Sequence, residues 1–560
     1  DVPDPDDPDP ANPTNIWYTI YNADININTE WVPPRSLVEL RYVIQDPAML
    51  AAIGGIPATG ACYVVNINNA THDPSFVLTK IELSDEADLT PPTAPGNLRA
   101  SLTQLTAGIA SNVVKLQWSP STDPAPHPTG LLRYFIYRDG VLYDMVDREM
   151  IDHLGTNLFY LDLAAAPSTS YTYRVTAIDK AQFGLHPLRG RAPCHPGNES
   201  AAATVTVSTV AWDCPDLLNP WVDFRYAGGF KMPLAPDEGW AYAGDDVAWS
   251  PDGNPGYDPA TEWPGLLYAV SRTQLGVGAL TIPKPALSND LVDWPRAEAA
   301  IAINTNIFPK IYGGSDLPPG GADFKIVGMA YHPGGNGVTG RLYYGTCNYY
   351  GTEPDRPSHG WLDLNLGAGH GAWYIGGLPP ANIYPGLVSR YMCRIPDGWA
   401  ADHTSGRSLL IGNNFLSGGE NYNGPTLYAA APWASGSLPS NGGAISATLM
   451  LRYSPIGTVS NRVVNWRIDR FAAGAAWIER NGRSALLLSY KRPLGDTWYG
   501  DAMGNHFTFY NIPAPPQGNE GAGATDWRRE FLLYNPADLA AVVSGAKQPW
   551  EPQPYASFSV

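Results

Sequence analysis

The chain has 560 residues, 44% of them hydrophobic, with a formal net charge of −18. That length predicts more than one domain, each with apolar side chains enough for a packed core. The acidic balance, with no run of Lys or Arg, argues against a nucleic-acid partner, which requires clustered cations against its phosphates. No stretch of about 18 consecutive apolar residues offers a membrane-spanning helix. Gly (57) and Pro (54) are frequent and scattered without a period, and 31 Tyr and 18 Trp accompany them. This composition predicts an all-β chain of short strands and many turns, in which flat amphipathic rings pack on half-buried sheets.

In chain order, residues 1–14 (DVPDPDDPDPANPT) form an acidic, Pro-rich tail with almost no apolar side chain to bury. Such a tract is held in place only by a neighbouring domain, another subunit or a cation, so the N-terminal segment is the candidate for self-association. The start at Asp1, without Met or an apolar leader, is read as the trace of a removed export signal, and hence of a secreted, extracellular or cell-surface protein. Residues 15–88 read as a small β domain. IWYTIYNADININ alternates around Ile16, Tyr18, Ile20, Ile25 and Ile27, with further strand runs in LVELRYVI, ACYVVNINN and FVLTKIEL. The first of these runs follows a flexible tether, so it is either an ordinary first strand or a strand donated to a sheet edge of another subunit.

Residues 89–209 contain TPPTAPGNLRAS, VVKLQWSPSTD, GLLRYFIYRDG, TSYTYRVTAID and NESAAATVTVST. This order of strands and Pro/Gly turns resembles a bacterial fibronectin type III module. Trp118 falls where that family buries a tryptophan on its second strand. Tyr134 and Tyr137 fall on its third strand, and Tyr171 and Tyr173 at the start of its sixth. The resemblance implies a β-sandwich that serves as a spacer or adhesive unit of a secreted protein, and it implies no reaction. The sequence departs from the pattern between the last two strands, where about twenty residues (KAQFGLHPLRGRAPCHPGNES) replace a short loop.

Residues 210–560 repeat a unit of three strand runs four times. Its instances are DVAWSPDGNPG with GLLYAVSR and GALTIP; IVGMAYHP with RLYYGTC and GWLDLNL; SRYMCRIPDG with RSLLIGNNF and PTLYAAAPW; and FAAGAAWIER with ALLLSYKR and REFLLYNPADL. Ala248-Trp249, Ala330-Tyr331 and Ala476-Trp477 anchor the first run of three units. The pattern predicts a C-terminal β-propeller of about five blades, four to seven being compatible with the spacing. It resembles uncharacterised secreted bacterial propeller proteins, a resemblance that brings no activity. The closing PYASFSV is expected to pair with YAGGFKMP to shut the ring. One helix is expected in NPADLAAVVSGAK, with Asn535 as its N-cap and Gly545 near its end.

Chemistry-bearing residues are sparse. Asp252, Asn254, Asp258 and Glu262 sit in one turning loop and are candidate calcium ligands, because Ca²⁺ takes six to eight oxygens. The same residues also read as a polar hairpin tip with an Asp-Gly turn. Asp4, Asp6, Asp7 and Asp9 are a second acidic cluster. Asp245, Asp246, Asp323, Glu420, Asp469 and Glu479 are the carboxylates available to a hydrolase site at a propeller axis, where two would act as acid and base or nucleophile. None sits in a recognisable motif, and G-x-S-x-G, H-E-x-x-H and phosphate-loop patterns are absent from the sequence. The five cysteines read either as bridges, Cys194 to Cys214 and Cys347 to Cys393 with Cys62 left over, or as small buried hydrophobes. The runs CNYYGTEPDRPSHGW and SGGENYNGPTLY combine rings and amides and read either as sugar-binding loops or as ordinary turns. Two functions follow: a non-catalytic subunit of an extracellular assembly (filament, sheath or surface layer) with the propeller as contact surface, or a propeller that binds or hydrolyses carbohydrate.

Overall fold

The computed structural model describes residues 90–559 apart from 106–112, 125–127, 129, 147–150, 152–153, 180–196, 235–239, 241–246, 272–275, 306–323, 349–355, 368, 415–423, 455–460, 466–470, 501–505 and 508–520. It also describes Val2–Pro3 (β1), which pairs antiparallel with Ile16–Trp17 (β2). The rest of the acidic tail, the β domain expected over 15–88 and most of the long loop at 180–200 lie outside these residues. The chain is all-β, divided among several separate sheets.

Residues 96–208 form two facing sheets. One holds β3 (Gly96–Thr103), β4 (Val113–Ser119) and β7 (Leu158–Asp162). The other holds β5 (Leu131–Arg138), β6 (Val141–Val146), β8 (Ser170–Asp179) and β9 (Ala203–Ser208) in the order β6-β5-β8-β9. Alternation along the strands drives the packing. Val114, Leu116 and Trp118 of β4 turn inward onto Tyr134, Ile136, Tyr173 and Val175. Trp118 meets Tyr134 edge to face, with ring centres 5.4 Å apart. Each such side chain contributes about 1.5–3 kcal/mol by leaving water. The β5–β6 hairpin closes through Asp139 and Gly140, both at positive φ (50° and 84°), as a two-residue turn matched to strand twist requires.

Four further sheets follow in sequence. The first is β10 (Val247–Ser250), β11 (Glu262–Ser271), β12 (Gly276–Pro283) and β13 (Ala299–Asn304). The second is β14 (Phe324–His332), β15 (Arg341–Asn348), β16 (His359–Leu362) and β17 (Gly369–Ile375). The third starts with β18 (Tyr391–Arg394), β19 (Leu409–Asn414) and β20 (Pro425–Ala430). The chain then adds β21 (Ala444–Ile445) parallel to β17 before β22 (Ala447–Arg452) completes that third sheet. The fourth is β23 (Phe471–Arg480), β24 (Arg483–Gly500), β26 (Gly521–Tyr534) and β27 (Ala556–Ser559), with β25 (His506–Phe507) on the far end of β24. Among the described residues every pairing between named strands except β17 with β21 is antiparallel. The first strands lie side by side in the order β10, β14, β18, β23.

Consecutive sheets pack face to face. Tyr268 and Val270 meet Met329 and Tyr344 between the first and second sheets. Tyr343 and Trp373 meet Ile411 and Tyr428 between the second and third. Tyr391 and Leu427 meet Leu488 and Tyr534 between the third and fourth. The two end faces are covered by one stretch of chain. Trp212, Cys214, Leu217, Trp221 and Phe224 pack on the fourth sheet, around the short helix α1 (Pro220–Asp223). Phe230, Met232 and Trp240 pack on the first. Phe224 and Phe230 are six residues apart, so the chain spans about 22 Å at most between the two faces.

The closing strand differs from expectation. β27 pairs with β26, whereas residues 229–231 bond instead to 286 and 295–297 in the connection between β12 and β13. The reason is local: Phe558 stacks on Phe531 at 4.9 Å and Ser557 donates its N–H to the Leu163 carbonyl, which holds the C-terminus against its own sheet and the sandwich. Two helices flank the sheets, α2 (Asp397–His403) and α3 (Pro536–Val543). The latter starts as its sequence predicts, Asn535 accepting the Ala537 N–H at 3.0 Å, and Gly545 follows it at φ 77°. Among the described residues no helix is long and apolar enough to cross a membrane.

A buried charged cluster joins the sandwich to the fourth sheet. Arg492 of β24 reaches Asp144 of β6 at 2.5 Å and lies 3.7 Å from Glu530 of β26. Arg528 donates to the Tyr143 and Leu142 carbonyls, both at 2.9 Å. Val113, Leu161 and Leu163 of the sandwich enter the same apolar core as Leu486 and Tyr490.

Candidate functional site

The β10–β11 hairpin holds the loop singled out as a cation site. Asp258 uses both carboxylate oxygens within the turn: Oδ1 accepts the Ala260 N–H at 2.9 Å and Oδ2 the Thr261 hydroxyl at 3.1 Å. Its carbonyl accepts from Thr261 and Glu262. Asn254 Nδ2 donates to Glu262 Oε2 at 3.4 Å, and Asp252 is exposed. The loop therefore closes through its own hydrogen bonds, as an Asx-type turn does. Among the described residues no three carboxylate, imidazole or thiol groups converge as a metal site requires.

The same hairpin carries a feature that the residue pattern did not single out. Trp249 is 53% exposed and Trp263 is 43% exposed. Both stand on one face of the first sheet. Trp249 lies opposite Leu267 and Trp263 opposite Ile282, two residues from Leu280; Leu267 and Leu280 belong to the outer-face cluster under Trp240. A register shift in β11 between Trp263 and Leu267 accompanies a bond from Trp249 Nε1, at the edge of the indole, to the Pro264 carbonyl at 3.2 Å. Gly265 makes this possible: it sits at φ 90°, and a Cβ there would come within 2.6 Å of Trp249 Nε1 and 2.4 Å of the Ser250 carbonyl. Trp249 is thus fixed while its face stays open. Past Trp263 the hairpin runs to Thr261, whose carbonyl accepts the Lys284 N–H, while the Lys284 ammonium donates to the Pro259 carbonyl at 2.5 Å. Asp258, Thr261 and Lys284 therefore border the two rings on the loop side.

Other groups with chemical potential are spent internally. His332 stacks on Trp433 at 3.8 Å; its Nδ1 accepts the Gly334 N–H, so Nε2 carries the proton donated to Ser408 Oγ at 3.0 Å. In that tautomer the imidazole cannot take a proton from Ser408, so the pair is not a nucleophile and its base. His359 donates from Nε2 to the Val388 carbonyl and accepts from Ser358 at Nδ1. Burial lowers the pKa of both to about 4, with the Arg394 charge adding to the effect on His332. His370 stacks on Trp361, 3.8 Å between ring centres, near Asp363.

Of the six candidate hydrolase carboxylates, Glu479 is exposed near the end of β23, and Asp245, Asp246, Asp323, Glu420 and Asp469 lie outside the described residues, as does the Asp4 to Asp9 cluster. Cys214 is buried against the fourth sheet, while its expected partner Cys194 lies outside the described residues. Cys393 is a free thiol, so the pairing with Cys347 does not form; burial pushes its pKa up to about 12. An open cleft of about 550 Å³ beside α1 is lined by Val222, Asp223, Arg225, Arg480, Asn481 and Arg483, with Asp223 already bound to Arg483 at 2.7 Å.

Compared with known proteins, the chain matches no family model and no curated sequence.

Proposed function

We propose that the protein is a secreted structural and interaction protein, a subunit of an extracellular assembly such as a filament, sheath or surface layer. In this reading a fibronectin type III-like sandwich holds a propeller-like unit at a set orientation, and that unit presents the contact surface. The observation that carries it is the buried Arg492–Asp144–Glu530 cluster, with Arg528 beside it, which ties the two units into one stiff body. A spacer that fixes the direction of a binding face suits a repeating assembly.

Several features support the two fold resemblances. The strand order of the sandwich and its inward Trp118 suit the first. So does the Tyr171 hydroxyl, which accepts the Ala166 N–H five residues upstream at 2.9 Å, as a tyrosine corner does. Four antiparallel meanders with adjacent first strands suit the second. We read this unit as four-bladed, within the four to seven blades expected, with Trp212 to Phe224 packed on the last blade and Phe230 and Met232 on the first. The N-terminal segment is the proposed route of self-association.

Electron microscopy of native material, with and without Ca²⁺, tests the assembly. Ordered polymers are expected, and deletion of residues 1–28 is expected to abolish them while leaving thermal unfolding of the rest intact. A monodisperse monomer at high concentration overturns the proposal. Carbohydrate binding is a second reading, favoured by the exposed faces of Trp249 and Trp263.

A further inference from the structure

We propose that Trp249 and Trp263 form a stacking platform for a neutral polysaccharide chain, with Asp258, Thr261 and Lys284 at its border to bond sugar hydroxyls. The inference rests on the carbohydrate-binding reading and gives it a site and a ligand class.

Two large rings left half-exposed on one face of a sheet are costly in water, and elsewhere the same face is covered by Phe230, Met232 and Trp240. The Trp249 indole is held by its bond to Pro264 and its close fit over Gly265, so a ligand loses little of the ring's rotamer freedom on binding. Flat apolar faces bordered by a few polar groups match a pyranose, which presents C–H groups on one face and hydroxyls around its edge.

Size and charge select among occupants. At 53% and 43% exposure the rings offer roughly 240 Å² together, taking about 250 Å² for a whole tryptophan. A stable protein interface needs about 800 Å² from each partner. The platform alone is therefore too small to hold a second copy of the chain, and it is the size of a few sugar rings. Asp252, Asp258 and Glu262 on the hairpin outnumber Lys284, in a chain of net charge −18. A polyanionic glycan would be repelled, and a neutral one would not.

The test uses the whole chain in native gels cast with hydroxyethylcellulose, laminarin, glucomannan or dextran, and with alginate as the polyanion. Retardation by at least one neutral polymer and none by alginate is expected. Trp263→Ala is expected to weaken the retarding affinity at least tenfold with an unchanged melting temperature, and Trp263→Phe to keep part of it. Trp249→Ala should act in the same direction; if it unfolds the first sheet, Trp263→Ala decides. Silence with all four neutral polymers, stronger retardation by alginate, or binding unmoved by Trp263→Ala overturns the platform. Loss of concentration-dependent association on Trp263→Ala, without glycan binding, also overturns it and assigns the face to self-contact. Glycan silence alongside intact polymers removes the platform and leaves the assembly role; glycan binding by a strict monomer does the reverse.

Discussion

Replacing Arg492 by Met removes a cation that lies between Asp144 and Glu530 while keeping most of the side chain's volume. The Arg492 and Asp144 side chains are 5% and 1% exposed, and that of Glu530 is 11% exposed. Asp144 still accepts the Met145 N–H, but both carboxylates lose the Arg492 charge in a site nearly closed to water. Removing one partner from a buried ion pair costs about 3–5 kcal/mol, because the remaining charge stays desolvated. The variant should lose this much in urea unfolding at pH 7. Because the cluster spans two units, the parent is expected to unfold in one transition and the variant in two, with the sandwich and the fourth sheet unfolding apart. A loss below about 1 kcal/mol would refute the view that this cluster is a charge-balanced clamp.

His332 and His359 are folded in the neutral form, with pKa lowered from 6.5 to about 4 by burial. Their contribution is complete above pH 6.5 and is lost as pH falls toward 4, about 2 kcal/mol each by pH 5. Melting temperatures across that range should fall more steeply in the parent than in His332→Gln or His359→Gln, and parallel curves would count against the assignment. In the β10–β11 loop, Asp258→Ala should cost about 1 kcal/mol through the lost turn bonds, to the same extent with or without chelator. A melting temperature that drops on chelation only in the parent would instead place a cation there. Gly265→Ala forces a Cβ to 2.4 Å from the Ser250 carbonyl at a φ of 90°. It should destabilise by about 1–3 kcal/mol and increase acrylamide quenching as Trp249 leaves Pro264; unchanged quenching and stability would show that the hairpin yields at no cost.

Much of the architecture can be read from local pattern. Period-two alternation in VVKLQWS and SYTYRVTAID places Trp118, Tyr171 and Tyr173 on inward faces, because successive side chains on a strand point to opposite sides. Asp139-Gly140 and Asn481-Gly482 mark two-residue hairpins, and both pairs take positive φ. Asn535-Pro536 starts a helix for reasons contained in those two residues. These signals act over a few positions, so they survive in the linear chain and establish an all-β protein of repeated meanders.

What local pattern does not contain is which face each sheet buries. VAWS alternates as other strands do, yet Ala248 enters the core while Trp249 stays open, because Phe230, Met232 and Trp240 cover only part of the outer face of the first sheet. The Asp252–Glu262 run has the composition of a cation loop; the Asp258 carboxylate is drawn into turn bonds by a backbone path that composition does not set. Arg492 and Asp144 are 348 residues apart and meet only when the sandwich docks on the fourth sheet. Local chemistry dictates strands, turns and caps, because their energies are settled between neighbours in sequence. Burial, charge pairing and the exposure of Trp249 and Trp263 are settled by segments distant in sequence, so folding alone assigns them.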